Sequence, residues 1–260
     1  MTKAHAESGE VRQPHAVLDL PSRRWKALKI ERLLDLDRGS QPISLLEIGT
    51  GSGGIANYFG THASGRFTVD AVDVVDNRLV TEGYAYRQVS DTRLPYADRS
   101  FDVVLTNHVI EHVGDEAAQR AHLAEIRRVL KADGVCYLAV PNRWMLVEPH
   151  YQLIFLSWLP PTWRSPYLRA SGKGRAYDCR PLQPRQLERM LASCNFGFRN
   201  LCVDALRATF EIERSGTRSA ALLARLPDGL LRPMAGLIPT LIYRIWLPQE
   251  AASSAGHADG

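Results

Sequence analysis

Cysteine is scarce in this chain. Its 260 residues hold four, Cys136, Cys179, Cys194 and Cys202. None forms a C-x-x-C pair and no histidine stands at a zinc-like spacing from them, so neither a thiolate metal site nor a disulfide framework is expected. Scattered thiols suit a reducing compartment, and a cytoplasmic location is the expectation. Long apolar runs are missing too. The longest stretch free of formal charge, Pro149 to Trp163, falls short of the roughly 20 apolar residues of a spanning helix and contains Pro160-Pro161. The opening MTKAHAESGE has no apolar segment, so no secretory signal is read there. Charge of one sign does not accumulate: 32 Lys and Arg stand against 28 Asp and Glu, a net +4 that requires no nucleic-acid partner. No internal repeat or long low-complexity tract occurs. What remains is ordinary globular material, 45% apolar and 23% charged, long enough to bury a large core unaided.

Patterning divides the chain. Residues 1–16 and 250–260 are small, polar and aperiodic, and are expected to be disordered tails. Trp25, Leu28, Ile30, Leu33, Leu34 and Leu36 fall on a broadly helical spacing among basic residues, predicting an amphipathic helix ahead of the main domain. From Ile43 onward strands (43–48, 67–75, 86–89, 101–106, 135–140) alternate with helices (55–61, 116–130). That rhythm predicts an α/β fold with a doubly wound, mostly parallel sheet, its core spanning 17–143. Residues 144–180 break the rhythm with prolines, tryptophans and arginines and read as a lid or acceptor insertion after the fifth strand. The core resumes over 181–212, with a helix near 184–193 and a strand near 198–206, and 213–249 reads as an apolar C-terminal extension.

The strongest local signal is LLEIGTGSGG, residues 45–54. A buried strand runs into Gly49, Gly51 and Gly53, and a helix follows. Residues without side chains allow a tight turn and let a ligand lie against the backbone, and the helix start offers free N–H groups. Gly49, Gly51 and Gly54 also satisfy G-x-G-x-x-G, the dinucleotide fingerprint. Asp73 stands roughly 20 residues downstream, where an acid binds a ribose in either case. A glycine turn without a ligand is the plain alternative.

Further segments follow in order: VDAVDVVD, then YRQVSDTRLPYADRSFDVVLTNHVIEHV, then LAEIRRVLKADGVCYLAVPNRW. Together with EIGTGSG they resemble, over about residues 43–143, the motifs of class I S-adenosylmethionine-dependent methyltransferases, in the broad small-molecule, type 11-like branch. The resemblance implies a Rossmann-like sheet of seven strands and S-adenosyl-L-methionine as cofactor. It also implies a donor site built from Glu47, Gly49, Thr50, Gly51, Gly53, Asp73, Asp91, Thr92 and Asn107. On that reading Asp73 holds the ribose by charge-assisted hydrogen bonds. Asp91 and Thr92 approach the adenine, walled by Leu94 and Pro95, and Asn107 meets the methionine part. Each has a structural alternative: Asp73 as a turn acid, Asp91 as the cap of the Asp91-Thr92-Arg93 turn, Glu47 as a support for the loop.

A sulfonium methyl is already activated, so its transfer is largely a matter of alignment. A hydroxyl acceptor must also lose a proton to a base within reach. His150, opening the insertion in Glu148-Pro149-His150-Tyr151, is the first candidate, and His112 is the second. His108 and His112 stand four apart, as metal ligands do, but the resemblance implies no metal there. The apolar stretch 149–163 is followed by Arg164, Arg169, Lys173, Arg175 and Arg180. Apolar surface beside cations suits a small or lipid-like acceptor with an anionic group, or peripheral contact with a membrane. A folded lid over the acceptor is the alternative, because prolines break long helices. The sequence specifies no oligomeric state.

The expected function is direct methyl transfer to oxygen or carbon of such an acceptor. Two alternatives stand beside it. A noncatalytic, donor-fold regulatory or binding protein would need a spoiled site, yet the motif residues are intact. A nicotinamide-dependent oxidoreductase would need a hydride-transfer set such as Tyr-x-x-x-Lys, which is not evident. Methylation of nucleic-acid amines often uses an Asn/Asp-Pro-Pro-aromatic tetrad, and that place here reads Thr-Asn-His-Val.

Overall fold

The computed structural model of the chain describes residues 19–148, 151–177, 179–231, 236 and 238–248. The expected tails at 1–16 and 250–260, and His150, lie outside them. At the centre is a seven-stranded sheet in the order β3-β2-β1-β4-β5-β9-β8. The first five of its strands in sequence are β1 (Ile43–Ile48), β2 (Phe67–Asp73), β3 (Ala85–Gln88), β4 (Phe101–Asn107) and β5 (Leu130–Pro141), all mutually parallel. β9 (Thr240–Trp246) runs antiparallel to both β5 and β8 (Gly197–Asn200). The sheet is the Rossmann-like, mostly parallel one expected. Its order reverses between β1 and β4, which puts a ligand crevice at the carboxyl ends of those strands.

Helices cover both faces. On one side α1 (Leu20–Leu33), α2 (Gly54–Gly60) and α6 (Cys202–Glu213) bury Ile30, Phe59 and Ala205 against Leu45, Val69, Leu105 and Tyr137. On the other, α3 (Glu116–Val129) and α5 (Pro184–Ser193) bury Leu123, Ile126 and Leu187 against Leu46, Val104 and Leu138. α3 starts where the Asp115 carboxylate accepts the Ala118 N–H at 3.0 Å, an N-cap bond. It ends one residue earlier than the sequence suggests, because Leu130 already pairs with Phe101 in the sheet. The helix-stopping Ala132-Asp133-Gly134 falls in an irregularity of β5, where the register shifts before Val103 meets Val135.

Two further expectations are corrected. The strand read at 198–206 stops at Asn200, and α6 takes over from Cys202. Residues 240–246, read as part of an apolar extension, form β9 inside the sheet. Leu241, Ile242, Tyr243 and Ile245 are buried there because both faces of the strand are covered, which makes its sequence read as an unbroken apolar run. The segment between β5 and α5 carries a short hairpin, β6 (Val147–Glu148) and β7 (Leu153–Ile154), a 3-10 turn at Leu156–Trp158, and α4 (Pro161–Ala170). Two short helices, α7 (Arg218–Arg225) and α8 (Asp228–Leu231), precede β9.

Candidate active site

β1 delivers the chain into a turn whose glycines have left-handed backbones: φ is +77° at Gly49, +52° at Gly51 and +80° at Gly53. Side-chain-bearing residues disfavour that region. A Cβ at Gly49 would also collide with Val109, in the loop after β4, and one at Gly53 with Tyr84 and the Val80 carbonyl. The turn is therefore pressed between the ends of neighbouring strands. The Gly49 N–H donates to the Val72 carbonyl at 2.8 Å, and the Gly51 N–H donates to Asp73 Oδ2 at 2.8 Å. Asp73 Oδ1 accepts from the Val74 N–H at 2.7 Å. Oδ1 also accepts from the Val75 N–H at 3.5 Å, so Asp73 acts as a turn acid while Oδ2 keeps a second lone pair.

Glu47 and Thr50 work beneath this turn. Glu47 is buried, and its Oε2 accepts from Thr50 Oγ1 at 2.8 Å and from the Ala56 N–H at 2.9 Å. Burial pushes its pKa up to about 8, against those two hydrogen bonds and the nearby charge of Arg23. The pair clamps the turn to the first turn of α2. Asp91 lies just past β3, where the Val89 N–H donates to the Asp73 carbonyl at 2.9 Å. Its Oδ1 accepts from the Arg93 N–H at 2.7 Å, the capping bond of a turn, and Thr92 beside it is half-buried. Leu94 belongs to the core, its N–H donating to Glu125 Oε2 at 2.8 Å, while Pro95 is exposed.

β4 brings the remaining groups to the same edge. Asn107 Oδ1 is buried without a hydrogen-bond partner among the described residues, and so are Ser52 Oγ and Glu111 Oε2. An unpartnered buried polar atom costs about 1–3 kcal/mol. These three lie at the carboxyl end of β4 and on the loops after β1 and β4. His108 has φ +60°, and its Nδ1 lies 3.2 Å from Oε1 of the buried Glu111. His112 Nε2 stands 4.0 Å from the same oxygen. Behind them His122 is buried against Thr106 Oγ1 at 3.1 Å, and burial drops its pKa to about 4. Among the described residues no group of three or more His, Cys, Asp or Glu side chains is arranged to hold a metal ion.

Three residues here carry no role in the sequence reading: Ser52, Glu111 and Arg23. Ser52 lies within the glycine motif, where the glycines alone carry the signal. Glu111 lies between His108 and His112 in sequence, yet nothing local shows that it is buried. Arg23 carries no sequence signal at all: α1 lays it on the start of α2, so that a Cβ on Gly54 would press on its side chain.

Residues 46–138 match the family model described as a methyltransferase domain. That match covers the stretch from β1 into β5, so this segment is similar to methyltransferase domains. A methyltransferase domain draws on a methyl donor, and the crevice carries polar groups of the kinds that S-adenosyl-L-methionine would bond. Asn107 Oδ1 and Glu111 would accept from its ammonium, Ser52 would donate to its carboxylate, and Asp73 would accept from its ribose hydroxyls. The chain is 26% identical over 147 residues to the ubiquinone/menaquinone biosynthesis C-methyltransferase UbiE of Desulfotalea psychrophila. That match covers 53% of this chain and 56% of the relative, so it spans about half the length of each. Among solved structures, a SAM-dependent methyltransferase from Methanosarcina mazei superposes with a TM-score of 0.51 at 16% identity, over 83% of this chain and 98% of that one. The [4+2]-cyclase SpnF gives 0.51 at 15% identity, over 92% and 85%. At these identities the two share the fold, and their differing names show that the fold hosts more than one reaction.

Proposed function

We propose that this chain transfers the methyl group of S-adenosyl-L-methionine directly to oxygen or carbon of a small or lipid-like acceptor. The observation that carries the reading is the junction of Gly51 with Asp73 opposite the unpartnered Asn107 Oδ1, at the switch point of the sheet. The bound cofactor supplies an electrophilic methyl carbon. The chain supplies alignment and, where the acceptor carries an acidic proton, a base. Of the two bases proposed from sequence, His150 lies outside the described residues. His112 is the more distant of two imidazoles from Glu111, and the geometry favours His108 beside it. A carboxylate that accepts from Nδ1–H leaves Nε2 as the basic nitrogen. On this reading His108 takes the acceptor proton, and Glu111 is a positioning residue.

UbiE is named a C-methyltransferase of ubiquinone/menaquinone biosynthesis. That name supports ring carbon of a lipid-tailed acceptor ahead of oxygen, and contact with the membrane that carries such an acceptor. The test supplies the protein with S-adenosyl-L-methionine and isoprenoid-tailed or tail-free quinols and phenols, and measures S-adenosylhomocysteine formed. Faster turnover of the tailed compounds supports the reading. Turnover of tail-free compounds alone removes the lipid-like acceptor, and donor binding without turnover of any of them favours a noncatalytic role.

A further inference from the structure

The insertion between β5 and α5 carries apolar side chains that the fold leaves outside. Leu146, Val147, Ile154, Phe155, Trp158 and Trp163 are all exposed, Trp163 to 66%. They lie on the hairpin, on the turn that follows it and on α4. Val147 pairs with Ile154 across the hairpin. The Phe155 N–H donates to the Leu146 carbonyl at 2.8 Å, and the rings of Phe155 and Trp158 lie 5.2 Å apart. The Tyr167 hydroxyl reaches the Ile154 carbonyl at 3.3 Å, closing α4 onto the hairpin. Leu153, Leu156 and Leu168 fill the small core beneath, so the outer set is surplus to the packing of the insertion. Phe155 is held at φ +58°, a left-handed conformation that a bulky residue rarely adopts, while its side chain stays exposed.

Charge lines the same segment. No Asp or Glu occurs from Tyr151 through Tyr177, where Arg169, Lys173 and Arg175 are exposed, while Arg164 is buried and donates to the Leu159 and Ser157 carbonyls. Lys173 Nζ donates to the Gln152 carbonyl at 2.9 Å, which fixes a cation beside the tip of β7. Arg169 donates to the Arg175 carbonyl at 3.2 Å, and both are exposed. Exposed tryptophan, tyrosine and phenylalanine beside cations without acids match the headgroup zone of an anionic bilayer. No described helix is long and apolar enough to cross a membrane.

We infer that this face of the insertion docks on the surface of an anionic phospholipid bilayer, with Phe155 and Trp163 entering the interface and Lys173, Arg169 and Arg175 meeting lipid phosphates. The inference deepens the lipid-like acceptor reading, because the insertion leaves the sheet at the carboxyl end of β5, where the crevice opens. Sedimentation of the full chain with phosphatidylcholine vesicles, with and without phosphatidylglycerol, tests it. Binding is expected to require the anionic lipid and to weaken with salt. It should fall at least about tenfold in Phe155→Ser/Trp163→Ser and about fivefold in Lys173→Ala. Calorimetric titration with S-adenosylhomocysteine runs in parallel on each variant and is expected to be unchanged, which excludes misfolding. Three results overturn the inference: no vesicle binding by the parent chain, binding that the double variant retains, or a parent dimer that the double variant dissociates, which makes a second copy the occupant. Vesicle binding without donor binding keeps the docking face and removes the donor reading instead.

Discussion

Asp73 does two things with one carboxylate: it ties down the Gly51 N–H and faces the crevice. Asp73→Ala removes both, and calorimetry with S-adenosylhomocysteine should show affinity lower by about 100-fold, the value of one or two hydrogen bonds to a charged group. The Glu111–His108 pair makes a separable claim. His108→Ala is expected to lower kcat by at least about 100-fold on a proton-bearing acceptor, with donor affinity kept. Glu111→Gln should lower kcat less and shift the pH–rate profile, a change that a purely structural role would not produce; an unmoved profile removes Glu111 as a positioning residue. His122 makes a prediction about stability. Its folded pKa is about 4 against an ordinary 6.5, because burial disfavours the charged ring. The folded state therefore binds fewer protons between those values, so stability is full above pH 6.5 and is lost as pH falls towards 4, by roughly 3 kcal/mol in all. Thermal melts of His122→Gln should lose stability less steeply than the parent over that window.

At the scale of the element, the turn after β1 was legible because its glycines answer a backbone requirement. Two of them are compelled by contacts from Val109 and Tyr84 that no sequence motif displays. Gly49→Ala combines a left-handed backbone with that collision and is expected to cost roughly 2 kcal/mol, read by denaturant melts, and to weaken S-adenosylhomocysteine binding. Gly65→Ala has a similar φ of +64° but open space around it, and should cost less than half as much. Equal costs would show that the collision is relieved. Helix α3 was readable from its stripe of Leu123, Ile126 and Val129, and the structure adds its Asp115 cap. The end of the Phe198 strand was not. Asn200 Oδ1 accepts the Cys202 N–H at 2.9 Å and starts α6, a local exchange that apolar periodicity does not report.

For the molecule as a whole, the parallel half of the sheet follows from strand–helix alternation, and the crevice follows from the reversal of strand order between β1 and β4. β9 escaped because it breaks that alternation. It returns antiparallel from the far end of the chain to sit between β5 and β8, and pairing at such sequence distance leaves no periodic trace. Arg23 on the glycine turn and the exposed face of the insertion are likewise products of tertiary placement. The insertion's composition did signal apolar surface beside cations, and the structure adds which side chains remain outside.

The central claim is that the crevice formed by Gly51, Asp73 and Asn107 is a methyl-donor site. The most direct test is titration of the purified chain with S-adenosylhomocysteine and, in parallel, with NAD(H), for the parent and Asp73→Ala. Binding of S-adenosylhomocysteine alone, weakened about 100-fold in the variant, is the predicted result. Binding of NAD(H) alone, or donor binding indifferent to Asp73, would contradict it.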